Sequence, residues 1–183
     1  MNNSFLSIDE IIKIGFKSIG QNVKISRKCS LYSPEKMIIG NNIRIDDFCI
    51  LSGEITLGNY IHISAYTALY GSMGIQIDDY SGISPRCTIF SASDDFSGNF
   101  MIGPMINKEL ANVIGGKVYI KKYSQIGAGS IILPDLTIEE GVAVGAMSLV
   151  NKSLPVWTIC VGIPAKVIKQ RENKITELSK QIK

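Results

Sequence analysis

An aliphatic residue recurs at every sixth position along most of this chain: Ile39, Ile45, Leu51, Leu57, Ile63 and Leu69, then Ile120, Ile126, Ile132, Ile138, Val144 and Val150. Ile77, Ile83 and Ile89 keep the spacing between the two runs after an insertion of two residues, and Ile25 and Leu31 start the series. A helix needs apolar residues three and four apart, and a half-buried strand needs alternation, so a sustained period of six fits neither. It fits a β-helix, in which short strands alternate with tight bends and each coil buries its apolar face against the next. A β-sandwich with coincidental spacing is disfavoured because two separate runs of anchors agree.

Four residues after the anchors stand small or medium side chains: Cys29, Cys49, Thr67, Ser81, Cys87, Ser93, Ser124, Ser130 and Ser148. Each six-residue unit therefore offers two inward positions. Three such units close a triangular coil, and coils stacked roughly 4.8 Å apart can hydrogen-bond strand to strand. Gly40, Gly58, Gly127, Gly141 and Gly145, with Asn41, Asn42 and Asn59, supply residues that tolerate tight corners.

The period fails in three places, which divide the chain into residues 1–20, 21–168 and 169–183. Residues 4–18 carry apolar side chains at helical spacing behind Asp9 and Glu10, which predicts a short helix capping one open end. Residues 91–117 lose the period and are rich in Gly, Asn, Asp and Ser, which predicts a long functional loop. After Pro164, AKVIKQRENKITELSKQIK regains helical character and predicts a terminal helix or tail. The fold class is all-β: a parallel β-helix with a short N-terminal helix, a long mid-chain loop and a C-terminal helix.

Composition narrows the function. Nineteen basic residues against 16 acidic give a net charge of +3, scattered rather than gathered in a stripe, so no nucleic-acid surface is indicated. No basic segment precedes an apolar run at the N-terminus and no stretch of 18 apolar residues occurs, which predicts no membrane insertion and a cytoplasmic protein. The four cysteines form no CxxC pair and read as reduced thiols without metal.

The stretch VYIKKYSQIGAGSIILPDLTIEEGVAVGAMSLVNKSLPVWTICVGIPAKVIK resembles the C-terminal half of the hexapeptide-repeat acetyltransferases, the maltose and galactoside O-acetyltransferases and their relatives in surface-polysaccharide synthesis. SASDDFSG, PVWTI and GIPAK are similar to an O-antigen and capsule subgroup that includes N-acetyltransferases of dTDP-4-amino-4,6-dideoxyglucose. The resemblance implies a left-handed coil, a homotrimer with sites between neighbouring prisms, and direct acyl transfer from acetyl-CoA to a sugar or nucleotide-sugar acceptor, without a metal.

Such transfer needs a group that takes the nucleophile's proton. His62, the only histidine, lies in GNYIHISAY five residues after Leu57, which predicts a bend and a projecting imidazole. Aligned with the maltose and galactoside enzymes, PRCTIFSASDD puts Asp94 where they carry their catalytic histidine. His62 and Asp94 are thus the catalytic candidates, with Asp95, Tyr66, Tyr70 and Asn112 as acceptor contacts. For coenzyme A the resemblance implies the corners Gly127, Ala128, Gly145 and Ala146 for the pantetheine arm, and Lys152 and Lys166 for the nucleotide end; ammonium groups suit phosphates. Trp157 reads as a buried ring closing the last coil.

Three functions stay open: N-acetylation of a nucleotide-linked amino sugar, O-acetylation of an O-antigen or capsule saccharide, and a non-catalytic β-helix scaffold. A sugar amine needs less help from a base than a hydroxyl, which favours the first. A zinc enzyme on this scaffold would need several histidines.

Overall fold

The computed structural model describes residues 4–182; residues 1–3 of the predicted cap and residue 183 of the predicted tail lie outside it. The six-residue anchors form the interior of a parallel β-helix. Every anchor from Ile39 to Val150 is buried, most of them with no exposed surface at all. Each fully buried Ile or Leu contributes about 1.5–3 kcal/mol relative to leaving it in water, so the stack of anchors is the main stabilising term.

Three faces repeat along the axis. The first contains Val23–Ile25, Ile43–Ile45, Ile61–Ile63, Gly82–Ile83, Gln125–Ile126, Ala143–Val144 and Thr158–Gly162, every step between them parallel. The second runs from Ser30–Tyr32 to Leu149–Val150, and the third from Ser18–Ile19 to Thr137–Ile138. Ile45 pairs with Ile63, Ile63 with Ile83 and Ile83 with Ile126, so one anchor sits above another despite the insertions between them. The two-residue insertion is absorbed where Ala68–Ile77 turns from second face to third, opposite a register shift between Gly53 and Ile55.

The inward residues four after the anchors hold the corners. The Thr67 hydroxyl donates to the Ser84 carbonyl, the Ser130 hydroxyl to that of Gly145, and the Cys49 and Cys87 thiols to those of Ser64 and Gly127. A tight bend turns carbonyls inward that no strand partner can satisfy, and a small buried donor one coil away supplies the missing bond. Ser93 departs from this set: it is half-buried outside the coil, and Ser91 is the buried serine there.

Both open ends are covered, as exposed strand edges require. Helix α1, Ile8–Ile14, begins with a capping box between Ser7 and Glu10 and buries Ile11. It is shorter than the predicted 4–18, because Ser18–Ile19 already pairs with Ile38–Ile39. At the other end the predicted helix after Pro164 is corrected. Ala165–Gln170 is a strand, antiparallel to Thr158–Gly162, and α2 spans only Ile175–Ser179. The exposed edge of the first face offers unpaired backbone groups, and this tertiary demand overrides the local helical pattern. Strand pairing therefore runs from Ser18 to Gln170, beyond the predicted 21–168 at both ends.

Arg171 fastens this closing strand by donating to the carbonyls of Tyr123 and Gly141. Trp157 is half-buried at a corner rather than sealed inside, and ends a stack of rings through Tyr60, Tyr80 and Tyr123. Gly141 makes that contact possible, since a Cβ there would lie 2.3 Å from the indole.

Candidate active site

The strand Ile61–Ile63 alternates buried, exposed, buried, so the His62 imidazole points outward from a flat face. This corrects the predicted bend: two isoleucines flanking the histidine give a local period of two that draws both into the core. His62 pairs in register with Arg44 below and Gly82 above. Its Nε2 lies 2.6 Å from Asp46 Oδ2, and Arg44 Nε donates to Asp46 Oδ1 at 2.7 Å. Burial pushes the Asp46 carboxyl up, but the hydrogen bonds from Arg44 and His62 outweigh it and hold the pKa below the ordinary carboxylate value.

Immediately after each first-face anchor, Asp46, Ser64, Ser84, Gly127 and Gly145 form a vertical line of corners. Gly127 and Gly145 are needed for close stacking: a Cβ on Gly127 would lie 2.5 Å from the Ala146 nitrogen. Ala128 and Ala146, one residue further on, are exposed, leaving a smooth edge of small side chains along two successive coils. Lys152 is exposed in the turn after Leu149–Val150, and Lys166 is exposed on the closing strand.

Ser84 had no place in the sequence reading. It follows the anchor Ile83 in the same register as Ser64 and Gly127, its hydroxyl accepts from Gln125 Nε2 at 3.1 Å, and its carbonyl is held by Thr67. The register of the repeat was the signal that could have found it.

Asp94 sits elsewhere. The predicted loop 91–117 contains a two-stranded antiparallel ribbon, Ala92–Asp94 against Val113–Gly115, with Asp94 opposite Val113. Asp94 lines a cleft of about 790 Å³ between this arm and the second face, with Tyr70, Ser72 and Phe90 on the coil side and Phe96, Ile106 and Lys108 on the arm side. The half-buried Asp94 carboxylate has no hydrogen-bond or ion-pair partner among the described residues. An unpaired carboxylate in a largely apolar cleft is available to a cationic or proton-bearing ligand.

The tyrosines are separated in the same way. Tyr70 stacks on Phe90, 5.4 Å between centroids, at the Asp94 cleft. Tyr66 stacks on Phe48 and lines a second hollow of about 450 Å³ with Arg44 and Asp46. Asp95 and Asn112 bond to each other, Asn112 Nδ2 donating to Asp95 Oδ2 at 2.9 Å. Within one chain, then, Asp94 is gathered with Tyr70, and His62 with Asp46 and Arg44. Among the described residues no group of three or more His, Cys, Asp or Glu side chains is placed to hold a metal ion, and no helix is long and apolar enough to cross a membrane.

No family model matches the chain. It is 44% identical, over 98% of its length and 95% of the relative's, to dTDP-4-amino-4,6-dideoxy-D-glucose acyltransferase of Escherichia coli. It superimposes with a TM-score of 0.96 on the S84C variant of AntD, an N-acyltransferase from Bacillus cereus in complex with dTDP-4-amino-4,6-dideoxyglucose and coenzyme A, at 54% identity, covering 99% of this chain and 97% of that one. The D94N variant of AntD, in complex with dTDP and coenzyme A, matches with a TM-score of 0.95 at 55% identity, covering 98% and 97%. With a relative this similar along nearly its whole length and the same β-helix throughout, the chain belongs to the left-handed β-helix, hexapeptide-repeat acyltransferases, in the group of the dTDP-4-amino-4,6-dideoxyglucose acyltransferases.

Proposed function

We propose that this enzyme transfers the acetyl group of acetyl-CoA to the 4-amino group of dTDP-4-amino-4,6-dideoxyglucose, in the synthesis of a surface polysaccharide such as an O-antigen. The observation that carries the reading is the unpaired Asp94 carboxylate in its cleft. The AntD variants are altered at positions 84 and 94, and this chain has Ser84 and Asp94 at those numbers.

Coenzyme A, when bound, supplies a thioester whose carbonyl the amine attacks and whose thiol leaves. The smooth edge at Gly127, Ala128, Gly145 and Ala146 would hold the pantetheine arm, and Lys152 and Lys166 would meet the phosphates. Asp94 first attracts the sugar ammonium and then takes its proton, exposing the nitrogen lone pair. Tyr70 borders that acceptor site, and Tyr66 and His62 approach it from a second copy. His62 and Asp94 stand apart within one chain, and both can serve one centre where two prisms of a homotrimer meet.

A second reading is favoured by the His62–Asp46 pair: a carboxylate bonded to one imidazole nitrogen fixes the ring and leaves the other nitrogen to take a proton, which would make His62 the base. Turnover of Asp94→Asn and His62→Gln with saturating acetyl-CoA decides between them. The first reading expects Asp94→Asn to lose about 10²- to 10⁴-fold in kcat, the usual contribution of a general base, with His62→Gln far less affected; the opposite order overturns it.

A further inference from the structure

Asp95 and Asn112 were expected to touch the acceptor, but the geometry assigns them another task. We infer that they form a clamp that positions Asp94, an inference that rests on Asp94 being in the active site. Asp95 directs both carboxylate oxygens inward to the arm. Oδ2 accepts from Asn112 Nδ2 at 2.9 Å and Oδ1 accepts from the Ser97 backbone N–H at 2.8 Å. The Asp95 backbone N–H adds a third link, to the Asn112 carbonyl at 3.0 Å. These bonds from the Asn112 side chain and Ser97 hold the Asp95 carboxyl below the ordinary carboxylate value.

The ribbon needs such a clamp. Its strands, Ala92–Asp94 and Val113–Gly115, are three residues each, and a two-stranded ribbon of that length is marginal on its own. The clamp closes it at the end from which residues 96–111 depart, one residue beyond Asp94. Among the described residues Asp94 has no side-chain partner of its own, so the place of its carboxylate in the cleft follows the backbone of the ribbon. Opening the Asp95–Asn112 bond lets that backbone shift, and a displacement of about 1 Å at a reacting group costs on the order of 10²-fold in rate. Asp95 and Asn112 are thus positioning residues rather than catalytic ones.

The test is steady-state kinetics with acetyl-CoA and dTDP-4-amino-4,6-dideoxyglucose on Asp95→Ala, Asn112→Ala, the exchanged pair Asp95→Asn with Asn112→Asp, and Asp94→Asn as reference. The clamp predicts that each alanine variant loses roughly 10- to 100-fold in kcat, with the KM for the sugar changed less than about threefold. The exchanged pair rebuilds the side-chain bond with its polarity reversed and recovers most of the loss. A sugar KM raised tenfold with kcat intact, or an exchanged pair no better than Asp95→Ala, shows a direct acceptor contact and overturns the clamp. If the alanine variants keep native kcat while Asp94→Asn is inactive, the clamp alone fails. If Asp94→Asn also turns over normally, the reading of Asp94 fails with it. Circular dichroism of each variant checks the β-helix, and a loss of kcat that the exchanged pair reverses cannot come from general unfolding.

Discussion

Replacing Thr67 by valine tests the physical basis of the corners. Thr67 is fully buried, and its hydroxyl donates at 3.1 Å to the carbonyl of Ser84, one coil away. Valine keeps the shape and exchanges that hydroxyl for a methyl group, so packing is conserved and the hydrogen bond is removed. Losing a donor to a buried carbonyl costs about 1–3 kcal/mol, equivalent to lowering Tm by about 2–12 °C for a chain of this size. Thr67→Ser reverses the exchange: it keeps the donor and loses one methyl, about 0.8 kcal/mol. Differential scanning calorimetry at one fixed protein concentration should rank wild type above Thr67→Ser above Thr67→Val. Because Ser84 stands on the corner line beside the proposed site, Thr67→Val should also lose more turnover than Thr67→Ser. If Thr67→Val melts at or above the wild type, the inward hydroxyls and thiols are filling space rather than satisfying corner carbonyls.

The thiols give a second prediction, because burial pushes Cys29 up to about 12 and, with backbone hydrogen bonds partly offsetting, Cys49 up to about 11. Cys49, fully buried, should react with a disulfide reagent at pH 8 only as fast as the coil opens, and its rapid labelling would contradict this. An unfolded thiol titrates near 9, so the stability these groups contribute is complete below that pH and falls as pH rises from 9 toward 12; a Tm that stays flat over that range refutes it. For the closing strand, Arg171→Ala removes two hydrogen bonds to backbone carbonyls, at about 1.5 kcal/mol for a partly exposed cation. It should expose the segment after Trp157 to proteolysis, and unchanged cleavage kinetics would show that the arginine does not fasten it.

The interior of this protein is legible because one periodic property, an aliphatic residue every six, decides burial. Ile39 through Val150 are anchors in the sequence and anchors in the fold. What was not legible depends on contacts between distant segments. AKVIKQ carries a helical pattern, but the coil beneath it presents an open strand edge that the segment itself cannot reveal. The ribbon Ala92–Asp94 with Val113–Gly115 closes a long excursion, and three residues on each side are too few for alternation to stand out. Counting from Leu57 puts His62 at a bend, whereas its neighbours Ile61 and Ile63 make it a strand residue. Asp94 was found by resemblance and not by period. Ser84 was within reach of the period, since it shares the register of Gly127 and Gly145, yet a lone serine carries no chemical signature without its stacked neighbours.

The most direct test of the account is the product formed from acetyl-CoA and dTDP-4-amino-4,6-dideoxyglucose, read by mass spectrometry before and after mild alkali. Transfer to the amine predicts a sugar nucleotide that gains one acetyl group, keeps it in alkali, and is formed far more slowly by Asp94→Asn. An alkali-labile ester, or no acetylated product with both substrates at concentrations that saturate the enzyme, would contradict it.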